Sequence, residues 1–127
     1  MLLEAIAKLL EDAGLGVQGK SIFIGGMPES VDEGIRLALA PGLAGFVDPD
    51  LPWIRRSDFQ IVVRKSDFAA ANGLINQAFG QSIINNQQLE GVYVYSARPF
   101  TQPFPLGREE GAHWHLACNV TVIWRET

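Results

Sequence analysis

Between about residues 112 and 125 the side chains alternate between two kinds, and this alternation restricts the fold more than any other feature of the sequence. Successive side chains of a β-strand point to opposite faces of its sheet, so the pattern predicts a strand with one buried and one open face. The apolar positions are Trp114, Leu116, Cys118, Val120, Val122 and Trp124, and the opposite positions are His113, His115, Ala117, Asn119, Thr121 and Arg125.

Other segments have the spacing or composition of regular secondary structure. Residues 2–13 carry apolar side chains at helical spacing, and a second apolar stripe of this period follows Ser66, which we predict to be an N-cap. Short runs of β-branched and aromatic residues predict strands. In chain order we predict a helix at 2–13, strands at 21–24, 34–40 and 59–64, a helix closed by the polar run 81–88, and strands at 92–97 and 112–125.

This order, α-β-β-β-α-β-β, predicts one α+β domain over residues 1–127. Strands that follow one another without helices between them favour an antiparallel or mixed sheet, here of about four or five strands, with both helices on one face. Proline and glycine mark two long connections, Phe46–Arg56 and Phe100–Gly111, which we predict to be loops.

Composition narrows the function classes. The net charge is −4 and the ten lysines and arginines are scattered along the sequence, which argues against nucleic acid as a partner. The single cysteine, Cys118, fits a reducing compartment. No apolar run approaches the ~20 residues that span a bilayer, and the N-terminus does not resemble a signal peptide. We therefore expect no membrane association and synthesis in the cytoplasm of the producing cell.

Two motifs that could bind a cofactor or a metal lack the required context. Gly14-x-Gly16-x-x-Gly19 matches a dinucleotide fingerprint, but it follows a helix and precedes a strand, the reverse of the order that binds a pyrophosphate. His113 and His115 share one strand face, whereas Cys118 points to the other, and no further ligand pair completes a tetrahedral shell. We predict a turn in the first case, and no cofactor and no metal.

Catalytic groups are equally hard to assign. Cys118 lies in mid-strand on the apolar face, where a reactive thiolate is not expected. The loop carboxylates Asp48 and Asp50, or Glu109 and Glu110, have no apolar neighbours that would raise a pKa. We predict no catalytic residue, and an enzyme of unfamiliar type is the least favoured class.

The two predicted loops contain large apolar side chains that are costly to leave in water. They could fold back on the core, form a ligand pocket in a small cytosolic binding domain, or be buried against neighbouring subunits. The sequence leaves these alternatives open.

Six segments follow one another in a recognisable order over about residues 1–125: Ile22 to Gly25, Leu39 to Gly42, Phe59 to Arg64, Ser66 to Phe68, Pro103 to Gly111 and Leu116 to Val122. This order resembles the tail-terminator, or tail-completion, proteins of long-tailed bacteriophages, also called minor capsid proteins. The last two segments correspond to a terminal motif of that family, which is moderately specific. Here Glu109 stands where aspartate is usual, and Cys118 next to Asn119 where leucine or phenylalanine is common.

The resemblance implies a structural virion protein that acts in the tail or neck region and is assembled in the cytoplasm of a bacterial host. It implies a homo-oligomer, a hexameric ring at the head-proximal end of the tail. The ring would stop polymerisation of the major tail tube protein and would join a head–tail connector or stopper protein. Nucleic acid would be met only where the ring lines a DNA channel. Another neck component, such as a head-completion or stopper protein, is the alternative within the virion.

By position, we predict that the two loops are the contact elements between subunits. Arg55, Arg56 and Arg108 are candidates for ion pairs with carboxylates of a neighbouring copy. The predicted interface residues are Phe46, Trp53, Ile54, Arg55, Arg56, Phe100, Phe104, Leu106 and Arg108.

Overall fold

The computed structural model describes residues 2–28, 31, 33–39, 46–48, 50–108 and 113–127. Over these residues the chain forms two helices and eight strands, and all eight strands belong to one sheet. In chain order they are α1 (Leu2–Asp12), β1 (Ile22–Ile24), β2 (Gly34–Leu39), β3 (Phe46–Asp48), β4 (Leu51–Lys65), α2 (Phe68–Gln81), β5 (Ile84–Leu89), β6 (Val92–Pro99), β7 (Phe104–Arg108) and β8 (Trp114–Glu126).

Two long antiparallel strands, β4 and β8, form the centre of the sheet. Each has two shorter strands along its outer side: β2 and β3 flank β4, and β6 and β7 flank β8. The edge strand β5 pairs with β6, and the edge strand β1 pairs with β2. Because β1 and β2 run parallel and the other pairs antiparallel, the sheet is mixed.

Both helices pack on the same face of the sheet and close a single core. Helix α1 buries Leu2, Ile6 and Leu10, and α2 buries Ala71 and Ile75, each on one stripe at helical spacing. The facing strand positions include Ile35, Leu37, Phe59, Ile61, Val63, Leu116, Cys118, Val120 and Val122. The apolar alternation of β8 therefore identifies the buried face correctly. We call the opposite side the helix-free face; Arg36, Gln60, Asn119 and Thr121 mark it.

The α+β class and the two helices are as predicted, but the predicted number and order of strands are wrong. The structure has three additional strands, β3, β5 and β7, and β4 begins well before residue 59. The prolines in the first part of β4 and in β7 suggested loops. An edge or bulged strand nevertheless tolerates proline, because some of its N–H groups have no strand partner. Strand β7 contains Pro105 and has a register shift before Gly107. The polar sequence of β5 carries no apolar alternation, so nothing in it signalled a strand.

One local prediction was wrong by a single position. The N-cap of α2 is Asp67 rather than Ser66: its backbone is extended, and its Oδ2 accepts a hydrogen bond from the Ala70 N–H at 3.1 Å. Either side chain suits an N-cap, and only the place where the helical backbone begins separates them.

Candidate interaction surfaces

The predicted contact loop Phe46–Arg56 forms a β-hairpin, of which strands β3 and β4 are the arms. Phe46 pairs with Arg56, and Val47 with Arg55. On the other side of β4, the pairing with β8 ends where Arg55 lies opposite Trp124. The hairpin therefore extends beyond the end of the central strand pair.

Apolar side chains of this hairpin are in contact with solvent. Trp53 is 57% exposed and Leu51 40%, and Ile54 is half-buried. Arg55 lies over the Trp124 ring, 5.4 Å from its centroid, and its Nη1 is 3.3 Å from Glu126 Oε1 of the same chain. Both side chains of that pair are about half exposed, so the ion pair adds little stability by itself.

The second predicted loop, Phe100–Gly111, contains strand β7. Phe104 pairs with Ala117 and is half-buried, whereas Leu106 is 48% exposed. Before β7, the N–H of Phe100 donates to Asn119 O at 2.9 Å, and the Phe100 side chain is 51% exposed.

Two of the predicted interface side chains lie outside the described part of the chain. The structure gives the backbone of Phe46 in β3 and of Arg108 in β7, but not their side chains.

The two predicted contact elements do not converge. Along β8, the hairpin lies beside Trp124, while β7 lies beside Ala117 and Trp114. At about 3.4 Å per residue, Trp124 and Ala117 are roughly 24 Å apart. The elements also lie on opposite outer sides of the β4–β8 pair. The exposed Trp53 and Leu106 therefore cannot line one ligand pocket, which removes the support for a binding domain built from these side chains.

A third surface was missed from the sequence. Five arginines that are scattered along the chain lie on the helix-free face of the sheet. Each occupies a strand position that alternates with positions facing the helices, and the sheet register brings the strands together. The five are Arg36, Arg56, Arg64, Arg98 and Arg125. Counting the positions that alternate with apolar ones could have found Arg36, Arg64 and Arg125. It could not have found Arg98, whose face depends on a register shift in β6, or Arg56, which lies before the predicted strand.

Other residues considered from the sequence lie as follows. Gly14 and Gly19 have φ of +82° and +81° and belong to the turn between α1 and β1. The Cys118 side chain is fully buried on the helix side, and burial raises the pKa of its thiol to about 11. His115 is on the helix-free face, where its Nε2 accepts a hydrogen bond from Arg64 Nε at 3.1 Å.

No helix in the described part of the chain combines the length and the apolar character needed to cross a membrane.

Comparisons with known proteins give the family from one match and the fold from another. A family model described as bacteriophage tail terminator protein matches residues 9–124. A solved structure titled "Virion of native gene transfer agent (GTA) particle" contains a chain with the same fold. The TM-score is 0.69 and the identity 15%, and the match covers 96% of this chain and 92% of that one. No curated protein matches the sequence.

Proposed function

Because the chain belongs to the bacteriophage tail terminator family, a family of structural virion proteins of the tail or neck, we propose that it forms a hexameric ring at the head-proximal end of the tail. The ring stops polymerisation of the major tail tube protein and presents a surface to a head–tail connector or stopper protein. The observation that carries the proposal is the position of two apolar contact elements at opposite ends of the central strand pair.

A ring of identical subunits needs a heterologous interface, in which one surface of a subunit contacts a different surface of the next. The β3–β4 hairpin and the β7 segment meet this need, because they lie at opposite ends and on opposite outer sides of the β4–β8 pair. Each presents a large exposed side chain, Trp53 and Leu106 respectively. Burial of such side chains between copies removes apolar area from water and stabilises the assembly.

The test is inactivation of the gene in a phage that carries it, followed by electron microscopy of the particles. We expect tail tubes of uncontrolled, excessive length that are not joined to heads. The wild-type gene supplied in trans should restore tails of normal length. A Trp53→Glu copy should not restore them. A Val17→Glu copy, which changes a similarly exposed apolar residue outside both contact elements, should.

Two other outcomes have distinct meanings. Tails of normal length joined to heads would contradict the proposal altogether. Tails of normal length that lack heads would instead indicate a head-completion or stopper protein, because length control would then not depend on this chain.

A further inference from the structure

The described side chains of the helix-free face carry a net charge opposite in sign to that of the whole chain. The net charge of the protein is −4, yet this face carries the five arginines named above. Among the side chains described on this face, Asp58 is the one carboxylate, and its Oδ1 accepts a 2.6 Å hydrogen bond from Thr121 Oγ1. The other described carboxylates lie on α1, at turns, at the start of α2 or on the helix side of the sheet.

The positive charges of these arginines are not neutralised by described carboxylates. The ion pairs found in the described part of the chain are Lys8–Asp12, Arg55–Glu126 and Lys65–Glu33, none of which includes them. Three of the arginines donate hydrogen bonds to uncharged groups. Arg36 donates to a backbone carbonyl, Arg64 to carbonyls and His115, and Arg98 to carbonyls and the Asn85 side chain.

The open part of this face is formed by Arg56, Arg98 and Arg125. In the sheet register Arg56 lies opposite Ile123, Arg98 opposite Thr121, and Arg125 opposite Tyr93. Arg56 and Arg98 are exposed, and the Arg125 guanidinium lies over the Tyr93 ring, 5.2 Å from its centroid. The other two arginines are at the far end, where they donate to the carbonyls of Gly25, Pro28 and Val31.

We infer that the helix-free face binds the phosphate backbone of duplex DNA without reading its sequence. Neighbouring side chains on the face, Thr121, Asn119, Gln60 and Tyr93, belong to the types that supply phosphate contacts together with arginine. A protein–protein interface would need a broad apolar core. Among the described side chains, the centre of the open part offers one large aliphatic residue, Ile123. Interfaces with nucleic acid are more polar and strongly positive, as this face is.

The place of this contact in a particle rests on the proposed function: the helix-free face would point into the channel of the ring. The binding itself does not rest on it, because it is a property of the face in any oligomeric state. The scattering of basic residues along the sequence argued against a nucleic-acid partner, but separation along the chain is not separation on a sheet.

The experiment measures fluorescence anisotropy of a labelled 30-base-pair duplex of mixed sequence, as a function of protein concentration and of NaCl between about 50 and about 200 mM. Wild type is compared with the triple variant Arg56→Gln, Arg98→Gln, Arg125→Gln. The matched control, Lys8→Gln, Lys20→Gln, Lys65→Gln, removes the same charge elsewhere. Circular dichroism checks that all three proteins are folded, and light scattering reports their oligomeric state.

We expect wild type and control to bind within about twofold of one another, and the arginine variant at least about tenfold more weakly at low salt. The slope of log K against log salt should decrease in magnitude by about three, about one for each arginine–phosphate pair removed. Absence of DNA binding at low salt, or equal weakening in both variants, would overturn the inference. So would equally tight binding of poly-L-glutamate, which would indicate an acidic protein as the partner.

The double variant Arg98→Gln, Arg125→Gln, which leaves Arg56 of the β3–β4 hairpin unchanged, separates this inference from the proposed function in the phage. If both hold, it should still give tails of normal length joined to heads, with delivery of DNA reduced at least about tenfold. The overlong tails that we expect when the gene is inactivated test only the proposed ring. That test does not depend on the result for the double variant. Normal DNA delivery by the double variant would contradict the inference, and the proposed role in length control would be unaffected.

Discussion

Cys118 shows how its neighbours control the chemistry of one side chain. It lies in mid-β8 among core residues and is fully buried, and this burial raises the pKa of the thiol from 9.0 to about 11. The thiolate is the reactive form, so a buried, protonated thiol is inert. The side chain acts here as a small apolar residue of the core.

The raised pKa predicts a specific dependence of stability on pH. The unfolded thiol ionises near pH 9, while the folded thiol stays protonated until about pH 11. Its contribution to stability is therefore complete below pH 9 and is lost as the pH rises from 9 to 11. Urea unfolding should show that wild type loses stability relative to Cys118→Val over this range, because the variant has no thiol to ionise. A constant difference between the two proteins from pH 8 to pH 11 would contradict the raised pKa.

The start of α2 allows a test between two adjacent residues. Asp67 accepts the hydrogen bond from Ala70 N–H, whereas Ser66, the residue that the sequence suggested, lies one position earlier. Replacing Asp67 by alanine should lower the free energy of unfolding by about 1 kcal/mol, because an amide of the first turn loses its acceptor. Ser66→Ala should change it by less than about 0.5 kcal/mol, as is usual for exposed sites. Thermal or urea unfolding of the two variants checks this, and an equal effect in both would contradict the assignment.

At the scale of elements, the sequence was informative where one side of a segment is buried and the other is not. The helix α1 and the strands β2, β6 and β8 have this property, because the core imposes an apolar period of 3.6 or 2 on them. The edge strands lack it. Strand β5 is mostly exposed, and β7 is short, contains Pro105 and changes register, so their pairing depends on partners remote in sequence. The apolar candidate contact residues could be proposed from the sequence because of their size and hydrophobicity, but their placement in strands could not be predicted.

The parallel pairing of β1 with β2 depends on the absence of a side chain at Gly34. A Cβ there would lie 2.9 Å from Ser21 O, the oxygen that accepts the Ile35 N–H hydrogen bond at 2.7 Å. Gly34→Ala should therefore cost about 1–3 kcal/mol, the usual range for overpacking. Gly73 in α2 is the matched control, since a Cβ there meets nothing within 4 Å. Gly73→Ala should stabilise by about 0.4–1 kcal/mol, through higher helix propensity and lower entropy of the unfolded chain. Urea unfolding should give opposite signs, and the same sign in both variants would contradict this reading of Gly34.

At the scale of the whole molecule, the structure separates two kinds of surface. The exposed apolar side chains of the predicted contact elements, Trp53, Phe100 and Leu106, lie at the ends and edges of the central strand pair. The arginines lie on the helix-free face of the sheet. A ring built through the hairpin and β7 leaves Arg98 and Arg125 of this face available, so apolar contacts between copies and phosphate contacts with DNA do not compete for these two residues.

The arrangement of the contact elements predicts a result that a symmetric dimer interface would not give. In a head-to-tail ring, the β3–β4 hairpin of one subunit contacts the β7 segment of the next. Trp53→Glu and Leu106→Glu should each abolish ring formation when alone, because a charge is then placed in an apolar contact. Each variant still retains the element that is altered in the other. An equimolar mixture should therefore form heterodimers and stop there, as one intact interface remains for each pair.

Mass photometry of the two variants, separately and mixed, measures this directly. Wild type and Val17→Glu, which alters a similarly exposed residue outside both elements, should both give the ring mass. If each contact were instead between like elements, a single variant would dimerise by itself through its intact element, and mixing would add nothing. The heterodimer thus reports the direction of the interface, because it can arise only when two different surfaces recognise one another.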